Sequence, residues 1–205
     1  MNKPTCYPCL TNKEPYASLS RKLIEKYLKI VFYPGEADYL ISFQNPEIIS
    51  PDVLKMIKKM SINIHPSLPE YRGVCCVSRA LYDDKKEYGV TAHIIEKEVD
   101  SGRILKVFKF PIHNDTCESL DLSAKNNSLL LLEEILQDIV NGKTDWECNE
   151  VWSDNLMTRK QFQEWITLPV NVEKAELDRM IKAVKRPGFP GPFIKLHGYK
   201  FSLYG

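Results

Sequence analysis

The chain has 205 residues, an ordinary apolar fraction of 43%, and 28 basic against 27 acidic residues, for a net charge of +1. That length suits one α/β domain with a small appendage, and the balanced charge argues against the basic surface that binds nucleic acid or anionic membranes. No apolar stretch is long enough to cross a bilayer, and the first ten residues lack the charged and apolar regions of a signal peptide. We therefore expect a cytoplasmic protein with no nucleic-acid or membrane partner.

Strand and helix patterns alternate along the first part of the chain. Leu19, Leu23 and Tyr27 recur at helical spacing, and Ser50-Pro51 is a preferred cap followed by a first-turn proline. The predicted order is a strand at Thr5–Leu10, the Leu19 helix, strands at Ile30–Tyr33 and Asp38–Phe43, a helix from Pro51 to about Lys59, and a strand at Ser61–His65. This alternation predicts an α/β protein with a Rossmann-like, mostly parallel sheet and helices on both faces.

An apolar run at Gly89–Ile95, two amphipathic helices and a terminal hairpin are expected further along. The first helix ends at Asn141-Gly142, a left-handed stop, and contains Leu129, Leu132, Ile135, Leu136 and Ile139. The second is marked by Val172, Leu177, Met180, Ile181 and Val184. After the breaker RPGFPGP at 186–192, a hairpin of Phe193–Leu196 and Tyr199–Leu203 should turn at His197-Gly198. We divide the chain into a domain of residues 1–142 and a C-terminal extension of residues 143–205.

Polar residues suited to acyl transfer stand at the ends of two predicted strands. Asn63 and His65 are two residues apart and so project to the same side, and Pro66-Ser67 ends their strand where open α/β sheets bind ligands. Asp100 lies in a second such loop, where the Ser-Gly that follows is a turn signal directing the carboxylate inward. Because a carboxylate beside an imidazole fixes its tautomer and raises its basicity, these three residues form a candidate catalytic group.

Four motifs in one order carry a family resemblance: NIHPS from Asn63, YRG from Tyr71, GVTAH from Gly89 and DSGRIL from Asp100. Over roughly residues 38–140 they resemble the 10-formyltetrahydrofolate-dependent formyltransferases. The resemblance implies the formyltransferase fold, 10-formyltetrahydrofolate as co-substrate, and a catalytic triad of Asn63, His65 and Asp100. In the expected mechanism, His65 has a near-neutral pKa and accepts the proton of the attacking amine, Asn63 donates to the oxyanion, and Asp100 orients His65.

The same resemblance implies binding residues. The pterin should lie against the loop before the catalytic Asp and the segment after an earlier strand, at Phe43, Gln44, Ile48, Glu96 and Val99. For the substrate, Ser67, Tyr71 and Arg72 lie just after the catalytic strand. Arg72 or Arg159 is expected to bind a diphosphate, and Tyr71 or Phe189 to stack on a base. Relatives usually carry a glycine after their first strand, whereas none precedes Gly35 here. We therefore expect an abbreviated N-terminal part and a phosphate held elsewhere.

Features near the C-terminus resemble the sugar N-formyltransferase branch: Thr158-Arg159-Lys160 and RPGFPGPF near a Gly-Tyr-Lys-Phe hairpin. The predicted function is formyl transfer to the amino group of a nucleotide-linked dideoxy amino sugar for a surface glycan. A glycinamide-ribonucleotide-type transferase, a hydrolase that releases formate, and an inactive folate- or nucleotide-binding protein are the alternatives. The methionyl-tRNA branch adds a basic barrel that the residues after the Leu129 helix are too few to form, so we expect no tRNA substrate.

The cysteines and the hairpin give two further expectations. Cys6-Tyr7-Pro8-Cys9 has redox or zinc spacing, but no second pair matches it, so we expect free thiols and no metal, with a regulatory Cys6–Cys9 disulfide as the alternative. His93, inside an apolar strand, is interpreted as structural. A homodimer is expected because the hairpin would otherwise leave apolar side chains uncovered, those of Phe193, Ile194, Tyr199 and Phe201.

Overall fold

A six-stranded sheet forms the centre of the structure, a computed structural model that describes residues 3–113, 115–189 and 191–202. The strands of the described residues are β1 (Thr5–Leu10), β2 (Lys29–Ile30), β3 (Tyr39–Phe43), β4 (Met60–His65), β5 (Arg72–Gly73), β6 (Glu87–Ile94), β7 (Ile104–Pro111), β8 (Leu156–Met157), β9 (Thr167–Leu168), β10 (Phe193–Leu196) and β11 (Tyr199–Ser202). The helices are α1 (Tyr16–Tyr27), α2 (Pro51–Met56), α3 (Cys76–Tyr82), α4 (Cys117–Val140), α5 (Arg159–Trp165) and α6 (Lys174–Val184), with a 3₁₀ turn at Pro34–Glu36.

The order of the central sheet is β2-β1-β3-β4-β6-β7. Strand β1 pairs in parallel with β2 and β3, and β3 pairs in parallel with β4. Strands β6 and β7 then run antiparallel to their neighbours. The expectation of an α/β protein with a mostly parallel sheet is therefore confirmed.

The two faces of β4 differ in character because successive side chains point to opposite sides of a strand. Ile62 and Ile64 are fully buried, and burial of such a side chain contributes about 1.5–3 kcal/mol. They belong to a cluster built from strands, α1 and α4 that includes Cys6, Ile24, Ile41, Phe43, Leu132, Ile135 and Leu136. Asn63 and His65 point to the other, polar face.

Helices α1 and α4 lie side by side over the apolar face. The Tyr16 hydroxyl donates to Asn126 Oδ1 at 2.9 Å, and the Tyr27 hydroxyl donates to Glu133 Oε1 at 2.8 Å. Helix α4 begins twelve residues before the apolar pattern that predicted it, because Thr116 caps it through a reciprocal pair of bonds with Ser119. Its first turns are mainly polar, so the apolar repeat that predicts a helix is recognisable only from Leu129 onwards. The predicted end of the helix at Asn141-Gly142 is confirmed.

Three other sequence-based predictions about the central sheet and its connections are wrong. The predicted strand Ile30–Tyr33 pairs only over Lys29–Ile30, because Pro34 starts the 3₁₀ turn. The helix expected to reach Lys59 ends at Met56, since the N–H groups of Lys58 and Lys59 instead donate to the carbonyls of Ala37 and Asp38. The strand before Asp100, expected to be parallel, is the antiparallel β6.

The part of the chain after residue 142 packs against α3. The Tyr82 hydroxyl donates to Glu176 Oε1 at 2.7 Å, and apolar residues from both parts share the main core, among them Val77, Leu81, Phe162, Ile166, Met180 and Val184. The division at residue 142 stays a prediction. The terminal hairpin β10–β11 is confirmed as far as Ser202, and Leu203 lies outside the described residues. In the described part of the chain no helix is long and apolar enough to span a membrane.

Candidate active site

The end of β4 and the middle of β6 bring polar side chains together on one face of the sheet. Asn63 and His93 are direct partners in the antiparallel pair, and His65 lies one alternation further along β4. Directly opposed residues point to the same face, so these three side chains converge. The loop 95–103 then folds back over them and delivers Asp100.

The loop 95–103 can fold back over these side chains because residue 102 is a glycine. A Cβ on Gly102 would lie 2.1 Å from the Ile94 carbonyl oxygen, a distance that no side chain tolerates. Asp100 itself has a positive φ of 46°, and its Oδ2 accepts the Gly73 N–H at 2.9 Å. The backbone thus holds the carboxylate in place from both sides.

His65 lies between an acceptor and a carboxylate. Its Nε2 is 3.0 Å from the Tyr71 carbonyl oxygen, which can only accept, so Nε2 carries a proton. Its Nδ1 is 3.5 Å from Asp100 Oδ1, and the ring is 5% exposed. A lone pair on Nδ1 would face a carboxylate, so this arrangement favours a second proton on Nδ1.

The pKa values follow the same geometry. Burial alone lowers the pKa of His65, but the Asp100 carboxylate, the Cys76 thiol and the Tyr71 carbonyl outweigh burial and raise it to about 9. For Asp100, burial raises the pKa, whereas the charge of His65 first, with hydrogen bonds that include one from the Gly73 N–H, lowers it to about 2. The raised pKa favours the imidazolium form of His65, where the sequence analysis predicted a near-neutral pKa.

The amide of Asn63 contacts a second histidine. Asn63 Nδ2 lies 3.1 Å from His93 Nε2, and His93 Nδ1 lies 2.7 Å from the Ile94 carbonyl oxygen. His93 is 3% exposed and belongs to the polar cluster, although its apolar strand gave it a structural interpretation. The alternation of β6 could have placed it on a face, but its register against Asn63 depends on strand pairing.

Trp152 closes the cluster from the C-terminal part of the chain. Its ring packs edge-on against His93 and His65, with centroids 4.9 and 5.9 Å away, and its Nε1–H donates to the Gly102 carbonyl at 2.7 Å. No local signal in the sequence links residue 152 to the triad. Cys76, whose Sγ is 3.9 Å from His65 Nε2, is a second neighbour without a local signal.

The residues expected to bind the cofactor occupy different environments. Gln44 ends β3 with a positive φ of 48°, and its Nε2 is buried without a hydrogen-bond partner. Ile48, Glu96 and Val99 are exposed, and the Val99 carbonyl accepts from Arg72. The Phe43 side chain is fully buried in the core, on the face opposite the triad, so only its backbone is near the site.

Two residues expected to bind the substrate, Ser67 and Tyr71, have buried side chains. The Ser67 side chain is buried and its carbonyl accepts from the Thr91 hydroxyl. The Tyr71 ring is 2% exposed, beneath the Arg79 guanidinium, and its hydroxyl donates to Asp83 at 2.8 Å. Direct contact of either side chain with a ligand would need a rearrangement.

The remaining three expected residues lie in three different places: beside the triad, on the surface and in the C-terminal part. Arg72 donates to the carbonyls of Ser153 and Val99, and its Nε is buried without a partner. Arg159 is exposed at the start of α5, two residues after β8, which pairs with β5 beside the triad. Phe189 packs on Phe162 with centroids 5.5 Å apart, in the core of the C-terminal part.

All six cysteines are free, and burial raises the pKa of Cys6 to about 12 and that of Cys9 to about 11. Across residues 3–113, 115–189 and 191–202 no group of His, Cys, Asp and Glu side chains has the arrangement to hold a metal ion.

A mostly parallel α/β sheet that presents an amide, an imidazolium and a carboxylate together has the parts of an enzyme that transfers an acyl group through an oxyanion. The family model described as formyl transferase matches residues 10–134. The chain therefore belongs to the formyl transferase family.

Known proteins with similar sequence or structure agree with this assignment. The bifunctional polymyxin resistance protein ArnA of Wigglesworthia glossinidia brevipalpis is 30% identical over 92% of this chain and 31% of its own length. The GDP-perosamine N-formyltransferase of Brucella melitensis is 28% identical over 80% of this chain and 62% of its own length. A solved 4-N formyltransferase from Francisella tularensis shares the fold, with a TM-score of 0.78, 16% identity, and coverage of 98% of this chain and 96% of that chain. The chain thus spans between about a third and three-fifths of these curated relatives.

Proposed function

We propose that this protein transfers a formyl group from 10-formyltetrahydrofolate to the amino group of a nucleotide-linked dideoxy amino sugar. The observation that carries the proposal is the convergence of Asn63, His65 and Asp100 on one polar face. A relative named GDP-perosamine N-formyltransferase supports the sugar substrate. So does a solved N-formyltransferase from Helicobacter canadensis, whose structure is a complex with folinic acid and dTDP-3-aminofucose.

The cofactor would supply a formyl group on a nitrogen that can leave as an amine. The residues present fit such a ligand. Gln44 directly follows β3, the neighbour of β4, and its buried side-chain amide nitrogen has no hydrogen-bond partner. The exposed Ile48 and the backbone around Glu96 and Val99 lie in the segments expected to flank the pterin. These contacts are part of the proposal.

The charged state of His65 changes the roles expected for the triad. As an imidazolium it donates an N–H to the oxyanion, together with the Asn63 amide, while Asp100 keeps it charged. His65 then gives its proton to the leaving nitrogen and takes the proton lost by the attacking amine, so the net transfer is from one amine to the other. The substrate must compete for the His65 Nε2–H with the Tyr71 carbonyl, which accepts it in this structure.

For the acceptor, Arg72 and Arg159 are the proposed partners of a diphosphate. Arg72 is held beside the Asp100 loop by two backbone carbonyls and has an unpaired Nε. Arg159 is exposed at the start of a helix. A role of Tyr71 or Phe189 in binding the sugar or base would act through the backbone or after rearrangement, because their side chains have interior partners. The Ser67 hydroxyl is buried without a hydrogen-bond partner, so it is free to bond a ligand once the site opens to it.

Further parts of the proposal concern assembly and location. Hairpin residues Leu196, Tyr199 and Phe201 are 44%, 73% and 52% exposed, which supports a homodimer that covers them. We also propose a cytoplasmic location, and a product destined for a surface glycan such as the O-antigen of a lipopolysaccharide.

Alternative acceptors share the same chemistry. Relatives named methionyl-tRNA formyltransferase match at similar identity, 27% over 81% of this chain for that of Pelagibacter ubique. The near-neutral charge of the chain favours the sugar over the tRNA. A hydrolase would use the same donors with water as the acceptor, and a binding protein would use none of them.

The decisive experiment mixes the protein with 10-formyltetrahydrofolate and a panel of nucleotide-linked 3-amino and 4-amino dideoxy sugars and weighs the products by mass spectrometry. A product heavier by one formyl group, absent with Asn63→Ala and His65→Asn, supports the proposal. Release of tetrahydrofolate without any acceptor would point to the hydrolase, and cofactor binding without turnover would point to the binding protein.

A further inference from the structure

We propose that His93 is a positioning residue that determines which end of the Asn63 amide faces the substrate. The inference rests on the proposed formyl transfer, in which Asn63 donates to the oxyanion. An asparagine amide can rotate by half a turn and present its oxygen instead of its nitrogen, and an oxygen would repel a developing oxyanion. Something must therefore hold the amide in the donating orientation.

The sheet register places His93 where it can do so. Asn63 on β4 and His93 on β6 are directly opposed, and their side chains share the polar face of the sheet. Opposed residues in an antiparallel pair have Cβ atoms about 4.5–5.5 Å apart, within reach of a direct bond. The observed separation of Asn63 Nδ2 and His93 Nε2 is 3.1 Å.

Proton placement gives the contact its direction. His93 Nδ1 lies 2.7 Å from the Ile94 carbonyl oxygen, which only accepts, so the proton sits on Nδ1. The Nε2 lone pair then accepts one N–H of Asn63. The second N–H on the same nitrogen remains for the substrate, and a flipped amide would bring two acceptors together.

Neighbouring groups keep His93 in this state. Asp100 Oδ1 is 3.5 Å from both His65 Nδ1 and His93 Nε2, so one of the two rings must offer it a proton. Because the single proton of a neutral His93 already lies on Nδ1 against the Ile94 carbonyl, that donor is His65. The His93 ring is 3% exposed and is packed by Trp152, whose own N–H is bound to Gly102. A rigid support of this kind is what a pre-organised oxyanion donor requires.

A kinetic cycle tests the inference. In His93→Phe we expect kcat to fall on the order of 10- to 100-fold, which is less than loss of the whole oxyanion donor, with both KM values nearly unchanged. His93→Gln offers a carbonyl oxygen near the position of Nε2 and should recover most of the rate. In an Asn63→Ala background, His93→Phe should cost nothing further, because no amide is left to orient. Full additivity in the double variant would overturn the proposal, since general damage to the fold would add.

A second measurement needs neither variant of His93 nor any turnover. Long-range ¹H–¹⁵N spectra of the wild-type protein should show His93 protonated on Nδ1, with an Nε2 resonance that shifts in Asn63→Ala. A proton found on Nε2, or a resonance indifferent to Asn63, refutes the inference even if the His93 variants fail to fold. If the wild-type protein transfers no formyl group, the proposed function fails while these spectra still decide whether His93 orients the amide.

Discussion

The two faces of β4 show how one short strand serves stability and chemistry at once. Ile62 and Ile64 are fully buried among aliphatic side chains, where each contributes through area removed from water. Asn63 and His65, between and beside them, face histidine, carboxylate and backbone partners on the other side. Packing tolerates approximate shapes, whereas a buried charge requires its partner, so substitutions on the two faces should fail in different ways.

The largest effect should come from breaking the buried ion pair. His65→Gln removes the acid and leaves Asp100 buried without its imidazolium, so we expect the loss of formyl transfer and about 3–5 kcal/mol of stability. Adding Asp100→Asn should restore part of that stability and none of the activity. Urea denaturation and product assays on the two singles and the double measure both quantities. Equal stability of all three variants would contradict the pairing.

Neighbouring alanine variants on opposite faces sharpen the comparison. Ile64→Ala should cost about 2–5 kcal/mol of unfolding free energy because it leaves a cavity, with kcat of the folded fraction retained. Asn63→Ala should lower kcat by roughly 10²–10³-fold, as expected for an oxyanion donor, with a smaller loss of stability. Thermal denaturation and turnover assays separate the two results. Comparable stability losses would show that the polar face also acts mainly as core.

A substitution in the loop that carries Asp100 should give a smaller loss of activity than loss of a triad side chain. In Gly102→Ala the new methyl group meets the Ile94 carbonyl, so the loop must shift and carry the carboxylate with it. We expect a drop in kcat on the order of 10-fold or more, since small misplacements are costly in catalysis. Gly142→Ala is the matched control: it has a positive φ of 77° but open space around it, and should cost about 1 kcal/mol without affecting turnover.

The pH dependence of stability should report the same pair. The folded pKa of His65, about 9, lies above its ordinary value near 6.5, so its stabilisation is full below about pH 6.5 and is lost as the pH rises through 9. The pKa of Asp100 is lowered to about 2, so its stabilisation is present above about pH 4 and is lost in acid. Urea midpoints between pH 6 and 9.5 should fall for the wild type and stay flatter for Asp100→Asn. Parallel curves for the two proteins would exclude the ion pair as the cause.

The smallest effect on the single chain should come from the hairpin. Tyr199→Asp with Phe201→Asp places charge on an exposed strand, so unfolding free energy should change by no more than about 0.5 kcal/mol. Light scattering at micromolar concentration should give a mass of two chains for the wild type and one for this variant. A single-chain mass for the wild type would remove the proposed dimer.

By itself, the sequence predicted the order of most elements and singled out the residues to which we assign the proposed chemistry. The succession of strand and helix patterns, the Ser50 cap and the Asn141-Gly142 stop are local patterns, so they could be recognised without a fold. The motifs likewise pointed to Asn63, His65 and Asp100 as candidates, because residue type and spacing can be recognised along the chain.

Only the tertiary structure decided how these residues are placed and which partners they have. The antiparallel register that sets His93 against Asn63, and the packing of Trp152 over both histidines, join residues 30 or more positions apart. The charge on His65 depends on burial and on a carboxylate 3.5 Å away. Strand pairing, loop return and desolvation are long-range, so no local pattern in the chain specifies them.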